Sequence, residues 1–212
     1  MAQFEIINMR PTNLYIADHA LRLFNKNGVV NVRLQHIADS AFVSVGHLAY
    51  HFKNKEALVK YLFEQHRQQQ TGLLQDYRIM PLFADVNRML QALYKLQVQY
   101  AFLYADSLEL IRTYPGMADM FKTYTLWQHM QLVIMLSFQV SRGGLFLPHG
   151  VYTIEQLAYL LSGYIQGWRY RQAVLGSSHW DSATYFCNDV WQLLIPFCTP
   201  TGMDELKQLH LV

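Results

Sequence analysis

Apolar residues recur along nearly the whole chain at the three-and-four spacing of an amphipathic helix, and glycine or proline interrupts that pattern at intervals. Runs that alternate as strands do are few, so the chain is expected to be all-α. A first helix is expected over 12–27, with Thr12 as N-cap after Pro11 and Ile16, Ala20 and Phe24 on one stripe. Gly28 follows, where a positive φ closes a helix at little cost. Two short helices are expected at 33–40 and 44–51, then a long one from Asn54, its cap, to Tyr77. Beyond Pro81, helices are expected at 82–104, 106–114, 116–142, 153–176 and 180–198.

Composition excludes several classes. At 52% hydrophobic and 15% charged, 212 residues are too apolar for disorder and must build a substantial core. The longest charge-free window, 123–141, contains Gln128, His129, Gln131 and Gln139, polar groups too dense for a membrane span, so a buried helix and no membrane partner are expected. Cys187 and Cys198 match no zinc spacing and are too few for a secreted disulfide scaffold. MAQFEIINMRP lacks the apolar core of a signal peptide, and a cytoplasmic location is expected.

Charge is unevenly distributed. Residues 1–60 carry seven basic and four acidic side chains, leaving ten and eleven for the rest, so the two parts hold +3 and −1. Within the basic part, two short helices joined by a turn and preceded by a bracing helix describe a helix-turn-helix, whose second helix can enter a major groove about 12 Å wide. Ile37, Ala38, Ala41, Val43, Leu48 and Phe52 are placed to form its small internal core. Ser44 stands at the N-cap of the second short helix, Val45, His47, Tyr50 and His51 face outward, and Lys53 and Lys55 flank the next helix start, the groups that backbone contact requires.

The segments IADHALRLFNKNG at 16–28, IADSAFVS at 37–44 and GHLAYHFKNKEAL at 46–58 resemble the TetR family of bacterial transcriptional regulators. The resemblance covers about a quarter of the chain and implies an N-terminal DNA-binding domain at 1–60 and a C-terminal ligand-binding and dimerisation domain at 61–212. It places Ser44 and Gly46 at the start of the recognition helix, Tyr50 and His51 at phosphate contacts, and Lys55 where a lysine anchors the long helix to the DNA backbone. His47 occupies a position often Thr or Asn that touches phosphate or a base edge. Arg33 stands where the family has a capping Thr and would meet phosphate by charge. Three residues depart from the pattern: Phe42 replaces the turn glycine, Val45 a lysine and Ala49 a tyrosine. The methyl groups of Val45 and Ala49 either pack on thymine methyls or leave phosphate binding weaker.

In the C-terminal part, Tyr100, Tyr104, Tyr124, Trp127, Tyr164 and Trp168 are candidates for an aromatic-lined ligand pocket, with a packed aromatic core as the alternative. Met120, Met130 and Met135 could adapt such a cavity to varied ligands, with simple gap-filling as the alternative. Gly163 and Gly167, where a second helix could approach closely, and Trp191 are candidates for a homodimer interface, with intrachain packing as the alternative. A palindromic operator would need two reading heads about 34–36 Å apart.

Neither catalytic residues, cofactors nor a metal are expected. His47 and His51 have i, i+4 spacing, but no glutamate follows as in a zinc protease helix and no third ligand is near in sequence. Phosphate-binding glycine loops and the Gly-x-Ser-x-Gly turn are absent. The expected function is that of a dimeric repressor, released from a double-stranded DNA operator by a small apolar or amphipathic effector. The competing reading is a helical-bundle enzyme or small-molecule carrier whose helix-turn-helix has lost DNA binding.

Overall fold

Every regular element among the described residues of the computed structural model (12–76, 81–148, 150–176 and 181–211) is a helix, as apolar stripes at helical spacing require. None of these helices is long and apolar enough to cross a membrane. The chain divides into two compact units, Met1–Gln65 and His66–Val212. The expected helix end at Tyr77 and start at Trp180 lie outside the described residues.

In the first unit, α1 (Thr12–Asn27) buries Ile16, Ala20 and Phe24, and Gly28 closes it at φ +75°, donating its N–H to the Phe24 carbonyl at 2.9 Å. Helices α2 (Leu34–Ser40) and α3 (Val45–His51) are two turns each, too short to stand alone. They are held by a common core of Ile37, Ala38, Ala41, Leu48 and Phe52, all buried with the α1 stripe, while Val43 is only half-buried. A hydrogen bond of 2.8 Å between His19 Nδ1 and Ser40 Oγ ties α1 to α2. The long helix α4 (Lys55–Asp76) starts under the cap of Asn54, whose Oδ1 accepts the Ala57 N–H at 2.8 Å.

The second unit holds α5 (Phe83–Gln99), α6 (Ala101–Ala105), α7 (Ser107–Thr113), α8 (Met117–Ser141), α9 (Ile154–Leu175), α10 (Ala183–Leu194) and α11 (Pro200–Gln208), around a core that includes Phe83, Leu136, Trp168, Phe186 and Trp191. Three expectations are corrected. The helix read over 82–104 breaks at Tyr100, whose buried ring packs edge-on to His66 while its hydroxyl accepts from Gln69. The helix read to 198 ends at Leu194, because Pro196 has no N–H to continue it, and a single 3₁₀ turn (Ile195–Phe197) follows. The third is α11, where no helix was expected: Thr199 Oγ1 caps it by accepting the Gly202 N–H at 3.1 Å, and Pro200 fills its first position.

Helix α11 is clamped to the unit by Glu205. Its carboxylate takes both ends of the Arg142 guanidinium at 2.6 and 3.0 Å and the Phe83 N–H at 2.9 Å. Arg142 in turn lies 4.9 Å over the Phe83 ring. Gly202 allows the approach, since a Cβ there would stand 2.2 Å from the Gly144 carbonyl oxygen.

Burial alone would raise the Glu205 carboxyl, but the hydrogen bonds from Arg142 and the Phe83 N–H, with the Arg142 charge, outweigh it and hold the group below the usual carboxylate range. A depressed acid stabilises the fold fully above its unfolded value near pH 4.3 and loses that contribution as pH falls toward the folded value. Glu205→Gln is therefore expected to cost about 2 kcal/mol at pH 7. The gap from wild type should narrow below about pH 4 in paired denaturant melts.

Candidate functional site

The geometry of α3 is set by two residues of opposite character. Leu48 is fully buried and fixes one side of the helix to the core. At its start, Ser44 Oγ accepts the His47 N–H at 3.0 Å and defines the first turn. With that side fixed, Gly46, His47, Ala49 and Tyr50 are exposed, while Val45 and His51 are half-buried. The imidazoles of His47 and His51 meet edge to face at 5.1 Å, and Tyr50 meets His51 in the same way at 5.2 Å, giving one aromatic, hydrogen-bonding patch. No three His, Cys, Asp or Glu side chains among the described residues are grouped to hold a metal ion.

Cations flank this patch. Arg33 and Lys53 are exposed, and neither forms an ion pair among the described residues. The Arg33 side chain does not cap α2; instead its backbone N–H donates to His36 Nδ1 at 3.2 Å, a one-sided closure of the first turn that sequence reading missed. Lys55 is engaged within the unit: its Nζ donates to the carbonyls of Val29 at 2.8 Å and Val32 at 3.0 Å, pinning the loop before α2. Burial lowers its pKa. One of its three N–H groups remains for a phosphate.

Phe42 keeps the left-handed conformation of the turn glycine it replaces, at φ +54°, with its ring 90% exposed. The turn is closed by the Phe42 N–H to Asp39 carbonyl and Val43 N–H to Ala38 carbonyl hydrogen bonds, at 3.2 and 3.0 Å. Holding a side chain in this region costs about 1–2 kcal/mol, and an exposed ring recovers little of it. Phe42→Gly is expected to raise stability by roughly 0.5–1 kcal/mol, the relieved strain less glycine's extra unfolded-chain entropy. A higher denaturant midpoint at unchanged slope would register the gain, and a lower midpoint would show that the ring packs.

In the second unit, a cavity of about 60 Å³ lies between the C-terminal part of α4 and the middle turns of α5, α8 and α9. Its walls are leucines, Ile165, Met89 and Met135, with polar groups from Gln70, Gln128, Gln131, Gln166 and Ser162. None of its described lining residues is ionisable. A second cavity of about 170 Å³ shares Leu74, Met89, Gln131 and Met135 with the first.

None of the six candidate aromatics lines this cavity; they pack and hydrogen-bond behind it or elsewhere. Tyr100, Tyr104 and Tyr124 stand edge-on around His66, whose Nε2 lies 2.8 Å from the Tyr104 hydroxyl. Burial pushes the His66 pKa down to about 3, so the ring is neutral, and burial raises the Tyr104 and Tyr124 hydroxyls. Trp127 stacks on Tyr124, the Tyr164 hydroxyl donates to Asp189, and Trp168 is buried against Phe186. Tyr100, Tyr124 and Trp168 are buried and Tyr104, Trp127 and Tyr164 half-buried, which leaves the cavity walls to flexible aliphatic and amide chains.

Trp191 is also corrected. It is 1% exposed within its own chain, packed on Phe83, and its Nε1 donates to Asn87 Oδ1 at 3.0 Å, so it cannot meet a second copy. Gly163 and Gly167 remain open, with nothing within 4 Å of a Cβ added at either. On α8, Leu126, Met130 and Ile134 form an exposed stripe at helical spacing.

Two family profiles divide the chain between them. The one described as "Bacterial regulatory proteins, tetR family" matches residues 16–62, and the one described as "Bacterial transcriptional repressor" matches residues 62–206. Over 67 residues, 32% of this chain, the sequence is 39% identical to the uncharacterized HTH-type transcriptional regulator YvkB of Bacillus subtilis (strain 168). That match spans 35% of the relative's own length. The structure is similar to that of a TetR-family transcriptional regulator from Marinobacter aquaeolei VT8, with a TM-score of 0.81 and 20% identity over 94% of this chain and 97% of that one. It is also similar to the ketosteroid transcriptional regulator KstR2 of Mycobacterium tuberculosis, with a TM-score of 0.70 and 14% identity over 90% and 97% of the two chains. At these identities the structural likeness speaks for the fold.

Proposed function

The chain belongs to the TetR family of bacterial transcriptional regulators, and on that premise we propose that it is a homodimeric repressor released from a palindromic operator by a small effector. The observation that carries the DNA-binding part is the outward side of α3. Gly46 sits inside a helix, where glycine costs about 0.5–1 kcal/mol relative to alanine, yet the nearest atom to an added Cβ is Ser44 Oγ at 3.9 Å. Nothing within the chain requires glycine there, and close approach of a DNA backbone would. His47 and Tyr50 are then placed to read or position the duplex, with Arg33 and Lys53 at phosphates.

The cavity of the second unit supports a small-molecule effector. Gly163, Gly167 and the Leu126, Met130 and Ile134 stripe support pairing with a second copy, since a two-fold operator needs two reading heads. An effector need only favour a dimer whose reading heads are wrongly spaced. A coupling of about 1–3 kcal/mol lowers operator affinity roughly 5- to 150-fold, and operator lowers effector affinity by the same factor. This mode of action implies a cytoplasmic location.

A salt titration of duplex binding tests the reading. Affinity should fall steeply with log salt, and Lys53→Ala should make the slope shallower by about one unit. Gly46→Ala should leave thermal stability equal or higher while weakening DNA binding; full binding by this variant would remove the close-approach argument. A flat salt response in the wild type would favour an enzyme or carrier that no longer uses its helix-turn-helix.

A further inference from the structure

The amides around the first cavity are ordered head to tail. Gln166 Nε2 donates to Gln128 Oε1 at 3.2 Å, Gln128 Nε2 donates to Gln70 Oε1 at 3.1 Å, and the Tyr124 hydroxyl donates to the same Gln70 oxygen. Two donors occupy that oxygen, while the Gln70 amide N–H₂ has no acceptor among the described residues. Gln70 is nonetheless only 5% exposed and lines the cavity. The Gln70 nitrogen is not one of the fully enclosed unpartnered atoms of the described residues, so it is open at the cavity, where an acceptor brought in would meet it.

The cavity also restricts charge. With no ionisable side chain among its described lining residues, a carboxylate or ammonium would be buried without a counter-ion, which costs far more than one hydrogen bond returns. Apart from Gln131 and Ser162 its remaining lining is aliphatic, and it shares Met89 and Met135, with Leu74 and Gln131, with the larger second void. Methionine has three rotatable bonds and no branching, so swinging these two thioethers aside would join the voids and admit an aliphatic tail.

We propose that the cavity takes an uncharged, largely aliphatic molecule bearing a carbonyl oxygen, and that Gln70 selects it by donating its unused N–H to that oxygen. The inference rests on the regulator reading only in calling this molecule the effector. Tyr124 and Gln128 hold the Gln70 oxygen, which leaves the nitrogen facing the ligand.

The test is calorimetric titration of the full chain and two variants with octan-2-one, octanoate and 2-aminooctane. The wild type should bind the ketone at least tenfold tighter than either charged probe, and Gln70→Leu should weaken the ketone about tenfold. Gln70→Glu keeps acceptors for Tyr124 and Gln128 while exchanging the N–H for a negative charge, so it should reverse the order in favour of 2-aminooctane. The proposal is overturned if the wild type takes up none of the three, binds octanoate as well as the ketone, or if folded Gln70→Leu or Gln70→Glu keeps the wild-type order and affinities. Duplex binding, measured separately on the wild type, keeps the two readings apart. DNA binding without discrimination among the probes removes this inference alone; discrimination without DNA binding removes the regulator reading alone.

Discussion

A seven-residue helix has almost no stability of its own, so the position of α3 depends on what holds it from behind. Leu48 is the anchor: fully buried among α1, α2 and α3, it decides which side of the helix is left outside. The Ser44 cap sets where the helix begins, and Lys55, bridging the Val29 and Val32 carbonyls, holds the loop that leads into α2. These contacts are local and mutually reinforcing. A one-residue slip in α3 would rotate His47 and Tyr50 by about 100° and put His47 or the small Ala49 where Leu48 is buried.

The second unit obeys a different constraint. Its interior contains polar groups that must be satisfied or neutral. His66 is held neutral by burial among three tyrosines, Gln97 donates to the Ile165 carbonyl at 2.9 Å, and Gln139 donates to the Pro81 carbonyl at 2.8 Å. His66 Nδ1 and Gln97 Oε1 stay enclosed without a partner, whereas the unused donor that ends the amide row lines a cavity.

Elements governed by residues within one turn of one another were legible in the sequence. Gly28, Ser44 and Asn54 each act on a backbone group at most four positions away, and α1, α2, α3 and the start of α4 fall within a residue or two of their expected limits. What depended on distant contacts was not. Tyr100 ends α5 without a glycine or proline because its hydroxyl meets Gln69, 31 residues away. Helix α11 carried a local sign, Thr199 followed by Pro200, that went unread. The cavity shows the same division. Gln128 and Gln131 stood out in a charge-free segment as obstacles to a membrane span, but only the fold brings them beside Gln70 and Gln166. The aromatics were conspicuous by size, which takes Tyr100, Tyr124 and Trp168 into the core and leaves Tyr104, Trp127 and Tyr164 half-buried, away from the cavity.

The account turns on α3 presenting its outer side to a duplex from each half of a symmetric dimer. The most direct measurement is selection of fragments bound by the purified chain from random-sequence duplex DNA. The account predicts enrichment of an inverted repeat whose half-sites lie about one helical turn, or a multiple of it, apart. A bound pool with no two-fold symmetry, or no bound pool at low salt, would contradict it.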